Sequence, residues 1–147
     1  MTSTALDNLV RINKLKLAPP NRAEFEQLLG LATTLLGTVK DNHTMAIESR
    51  FMLAYDAAHS AARAALRAHG YRSDDRYLVF QCLEHTIGWP AQKWRVLDTC
   101  HRRRNDAEYE GIVDLPASLT NELVMLTREL IDAVLGVRLM LPPEKSA

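Results

Sequence analysis

Cysteine is scarce in this 147-residue chain: Cys82 and Cys100 are the only two, with no CxxC pair. That excludes a secreted disulfide framework and a four-cysteine zinc module, and it leads us to expect a reducing, cytoplasmic setting. Net charge is missing as well, with 18 Lys and Arg against 18 Asp and Glu. A protein that coats nucleic acid or anionic membrane by bulk charge needs a large basic excess, so that class is excluded. No stretch approaches the ~18 charge-free apolar residues of a membrane span. Met1 to Leu17 alternates charged and apolar residues and offers no secretory core. There is no GxGxxG, P-loop, HExxH or GxSxG. Cys82 and His85, and Cys100 and His101, could be brought together as metal ligands, but cysteine on an apolar stripe usually packs as a small core residue. No metal or cofactor is therefore expected.

What remains is a helical vocabulary. Hydrophobic residues make up 47%, and a chain of this size should bury about two-thirds of its unfolded surface, enough for one core. The six Pro and six Gly fall mostly between long segments rich in Ala, Leu, Arg and Glu. The spacing predicts a short helix over Ala5 to Lys16. A second runs from an Asn21 cap to about Lys40, with Glu24 completing a capping box. A third starts near Thr44, carries Phe51, Ala54, Ala58, Ala61 and Ala65 inward, and stops at Gly70. Ser73 is expected to cap a fourth helix from Asp74 to about Thr86. Pro90 opens a fifth, which breaks near Gly111. Pro116 and Ser118 introduce a sixth, to about Leu141, with Leu123, Leu126, Leu130 and Val134 on its stripe. Pro142 and Pro143 then lead into a polar tail. No strand is apparent. The expectation is a single all-α domain over residues 1–147: an up-and-down four-helix bundle with additional short helices.

The fifth helix holds an anomaly. On a wheel of 100° per residue with Trp94 at zero, Val96, Leu97, Cys100 and Ala107 span about 200–300°, and Trp94 closes the apolar sector at about 360°. Arg104 falls near 280°, in the middle of that apolar sector, with His101 and Glu108 near 340° and 320°. An unpaired guanidinium on a core face costs several kcal/mol. One explanation is structural: Arg104 pairs with Glu108 at i,i+4, or snorkels to water. The other is functional: the polar stripe faces a cleft or a second subunit and binds an anion. Asp98, Arg102, Asp106 and Glu110 alternate in sign on the other side and read as a solvated face.

At Arg104-Asn105-Asp106-Ala107-Glu108-Tyr109 the sequence resembles the HEPN (higher eukaryotes and prokaryotes nucleotide-binding) domain family, whose signature is an Arg, a polar residue, and a His four to six residues on. The frame agrees over roughly residues 44–140, with an Ala-rich helix through Tyr55-Asp56-Ala57-Ala58, a helix through Phe80-Gln81-Cys82-Leu83-Glu84-His85, and then the motif helix. Helices within 5–41 precede this core. The resemblance implies a homodimeric four-helix bundle whose motif residues meet between subunits. Many members are metal-independent ribonucleases in toxin–antitoxin or defence systems. Others are inactive and bind RNA or nucleotides, or partner a nucleotidyltransferase.

Tyr109 stands where the family has its His, and no His follows in the chain. An imidazole near pKa 6.5 can act as base or acid at neutral pH, whereas a phenol near 10 is a poor base. Ribonuclease activity therefore does not carry over directly. The candidate site residues are Arg104 and Asn105, then Tyr109, and His101 as the histidine that could stand in, with Glu108 orienting Arg104. The competing expectations are a non-catalytic interaction module partnering a nucleotidyltransferase and a purely structural bundle. Arg104 and Tyr109 lie about 140° apart on an ideal helix, so their joint use requires a helix break or a second subunit.

Overall fold

The computed structural model describes residues 4–111 and 114–141, and the proline pair at 142–143 and the polar tail lie outside them. Four long helices dominate: α2 (Arg22–Asp41), α3 (Ile47–His69), α6 (Ala91–Tyr109) and α7 (Ala117–Val137). Three short ones, α1 (Thr4–Arg11), α4 (Arg76–Gln81) and α5 (Leu83–Thr86), surround them. The all-α bundle is as expected, and none of the described helices is long and apolar enough to cross a membrane.

Helix α3 is the central rod. Ala54, Ala57, Ala58, Ala61, Ala64 and Ala65 are fully buried along it, and their small side chains let α2 and α7 approach closely on either side. Phe25, Phe51, Phe80, Leu97, Leu123 and Leu130 fill the space between helices. Two of the polar groups in this core bond to backbone carbonyls, whereas Thr86 Oγ1 and Trp94 Nε1 find no partner among the described residues. The hydroxyl of Ser60 donates to the Leu28 carbonyl at 2.7 Å, and that of Thr127 to the Leu123 carbonyl at 2.7 Å.

The boundaries show where local signals held and where tertiary contacts overrode them. Asn21 caps α2 through its side chain, which accepts from the Glu24 amide at 2.9 Å. The reciprocal half of the expected capping box is absent. The Glu24 carboxylate turns instead to Arg67 at 3.2 Å and Arg72 at 2.8 Å. Gly70 ends α3 at φ +90°, a left-handed cap that suits glycine. The expected fourth helix is capped by Asp75 rather than Ser73 and divides at Cys82 into α4 and α5. The first helix ends at Arg11 instead of Lys16. The residues freed by that early stop form a strand that was not expected: β1 (Lys16–Leu17) pairs antiparallel with β2 (Tyr71–Arg72). Arg67, almost wholly buried, secures this ribbon by donating to the carbonyls of Ala18, Pro19 and Tyr71. At the other end α7 gives way to a 3₁₀ turn at Arg138–Met140.

Candidate functional site

The polar continuation of α6 meets α3 and α4 in one cluster. On α6, burial stops after Trp94, Leu97 and Cys100, and the same side then presents His101, Arg104 and Asn105. Helix α3 contributes Tyr55, Asp56 and His59. Helix α4 contributes Arg76 and Phe80. The Asp75 carboxylate accepts from the Leu78 amide and starts α4 there, which makes Arg76 its first residue.

Tyr55 is the hub. Its ring is fully buried, with Phe80 edge-on at 5.7 Å. Two guanidinium groups lie over it, Arg104 at 5.4 Å and Arg76 at 5.7 Å from the ring centroid, within cation–π range. Its hydroxyl lies 2.9 Å from His101 Nδ1. On the far side of that ring, His101 Nε2 is 3.1 Å from Asn105 Nδ2. Asn105 Oδ1 in turn accepts from Arg104 at 3.4 Å. These contacts assign one consistent proton arrangement. Arg104 donates to Asn105, the Asn105 amide donates to Nε2, and Nδ1–H of His101 donates to the Tyr55 oxygen.

The charges are incompletely matched. Arg104, with its side chain only 14% exposed, pairs with Glu108 at 3.0 Å, the i,i+4 contact anticipated above. Arg76 sits 3.8 Å from the Asp56 carboxylate, beyond hydrogen-bond reach. Its Nη1 is buried and makes no well-formed hydrogen bond among the described residues, with the Asp56 carboxylate beside it and the guanidinium drawn to the Tyr55 phenol. Arg76 is therefore the more loosely paired of the two guanidinium groups.

The titratable groups respond to this setting. Burial, reinforced by the charges of Arg76, Arg63 and Arg104, pushes His59 down to about 3. Burial lowers His101 too, against the pull of Asp98, so both rings are neutral at pH 7. Burial raises the Tyr55 phenol, with Arg76 and Arg104 working the other way. Asp98, read as part of a solvated face, has a side chain only 17% exposed and bonds to Arg102 at 3.5 Å.

Four expected residues, His101, Arg104, Asn105 and Glu108, thus share one network. Tyr109 does not join it: it is the last residue of α6 and 77% exposed. Tyr55, His59 and Arg76 belong to the cluster but carry no signal on α6 itself, since only the packing of α3 and α4 brings them there. Among the described residues no group of three or more His, Cys, Asp or Glu could hold a metal ion. Cys82 and Cys100 are buried thiols, both pushed up to about 12 by burial. Comparisons of the chain with protein-family models, curated proteins and solved structures return no match.

Proposed function

We propose that this chain binds the phosphate of RNA or a nucleotide at the Arg76–Arg104 pair, as a homodimeric HEPN-like protein. One observation carries the reading: two guanidinium groups converge on one buried ring, and one of them, Arg76, is held by its carboxylate only loosely, at 3.8 Å. A phosphate oxygen would supply a closer anionic partner than Asp56 does, and guanidinium is the side chain best suited to recognise it. The neutral His101 beside the pair adds no charge of its own, and Asn105 offers a further donor. The resemblance at Arg104-Asn105 points to the same ligand class.

The proposed activity is binding first. Tyr109 stands off the cluster, so general-base chemistry on a ribose hydroxyl falls to His101, whose Nε2 must first part from Asn105. Cleavage is accordingly slow or absent in this reading. A non-catalytic role beside a nucleotidyltransferase partner would use the same cluster of side chains.

The test is nucleotide and oligoribonucleotide binding by the purified protein, with its oligomeric state measured in parallel. The expected result is a dimer whose affinity drops at least tenfold in Arg104→Ala, since a charge-assisted hydrogen bond contributes about 1.5–3 kcal/mol. A monomer that binds neither nucleotide nor RNA refutes the reading. That outcome would favour the structural account, for which the 3.0 Å Arg104–Glu108 pair speaks.

A further inference from the structure

The basic surface does not stop at Arg104. Arg63 lies eight residues beyond Tyr55 on the Tyr55–His59–Arg63 ridge of α3, a rise of about 12 Å. Among the described residues Arg63 makes no hydrogen bond or ion pair. Yet it is half-buried, and it lines a groove of about 570 Å³ between α2 and α3. That groove also holds Arg72, the Gln27 amide, and the apolar surfaces of Leu28 and the half-exposed Leu31. Its one carboxylate, Glu24, is already held by Arg67 and Arg72. The charge of Arg63 reaches His59, where those of Arg76 and Arg104 are also felt. The cluster and the groove are therefore neighbours along one helix.

We infer that the ligand is a single-stranded oligonucleotide rather than a mononucleotide, with Arg63 binding a second phosphate and the α2–α3 groove receiving the adjoining nucleoside. This rests on the reading of Arg76–Arg104 as a phosphate site. Arg63 stands two ridge steps along α3 from Tyr55, over which that pair lies, so a strand running along α3 can reach both. The groove is suited to a nucleoside: Leu28 and Leu31 give an apolar face for a base or ribose, Gln27 can read a base edge, and the guanidinium of Arg63 is uncommitted. The groove has no aromatic ring in its lining, so a base there would be held by apolar contact and by the face of the Arg63 guanidinium, neither of which demands a particular base.

The experiment measures anisotropy of labelled oligoribonucleotides of increasing length, with AMP as a competitor, across a salt series. Wild type should gain at least tenfold in affinity from a dinucleotide to an octanucleotide. Arg63→Gln should remove that gain, leave AMP binding unchanged, and flatten the slope of log K against log salt by about 0.7, the value for one phosphate contact on a single strand. Arg63→Lys, which keeps the charge, should retain most of the gain and shows that the site tolerates replacement. If Arg63→Gln keeps the wild-type length dependence and salt slope while Arg104→Ala loses binding, the extended site is wrong and the phosphate site stands. If wild type binds no ligand of any length, both fall.

Discussion

A single phenol organises the polar cluster. The Tyr55 ring carries two guanidinium groups while its oxygen fixes a histidine, so the two roles separate by substitution. Tyr55→Phe keeps the ring but removes the partner of His101 Nδ1–H. We expect a loss of about 1 kcal/mol in urea denaturation and, in ¹⁵N spectra of the imidazole, a shift from one tautomer to a mixture. Unchanged imidazole shifts would contradict the assigned network. His59 makes a second prediction. Its proton affinity in the folded chain is far below the ordinary value of 6.5, at about 3. The stability contributed by the neutral ring is complete above pH 6.5. It is lost on acidification, because the unfolded chain takes up a proton that the folded chain refuses. His69 and His101, also lowered by burial, act in the same sense. Asp56, raised by burial, acts oppositely but nearer pH 4. Melting temperature should therefore fall between pH 7 and 5.5, with each such histidine adding at most about 1.4 kcal/mol per pH unit. His59→Asn should reduce that slope, and an identical slope in the variant would exclude His59 as a cause.

Among the elements, those announced by their own residues were legible in the sequence. Asn21, Gly70 and Pro90 mark helix ends through local backbone chemistry, and the leucine stripe of α7 needs no partner to be recognised. The Arg104–Glu108 pair was equally readable, because four residues on a helix are neighbours by geometry alone. What escaped depends on contacts between distant segments. Two-residue strands have no period to read, and the Glu24 carboxylate left its capping role for Arg67 and Arg72. Arg76 joins the cluster only because α4 packs across α3. Arg67 is the strongest example of this kind: an arginine on an alanine-rich helix, held by three carbonyls and a carboxylate. Arg67→Met should cost about 3 kcal/mol, given that hydrogen bonds to charged groups contribute more than neutral ones. At the sensitivity of a domain near this size, the melting temperature should drop by roughly 5–10 °C. A drop of under 2 °C, against the ~1 kcal/mol that such a shift represents, would mean that the ribbon contributes little to stability.

At the scale of the whole molecule, formal neutrality and local charge coexist. The chain has 18 charges of each sign, yet Arg63, Arg76 and Arg104 gather around His59, with Asp56, Asp75, Asp98 and Glu108 as the carboxylates of the same cluster. Any anion it takes must be recognised at short range, without long-range steering to speed the encounter. The ribbon between β1 and β2 bears on the history of the fold rather than on its final state. Arg67 reaches the Ala18 carbonyl across 49 positions of chain, and closing so long a loop is entropically slow compared with zipping a helix. The α2–α3 hairpin and its neighbours can form from nearby contacts first, with the amino-terminal strap docking onto a bundle already assembled. The amino-terminal strap is thus expected to fasten after the helices it closes over.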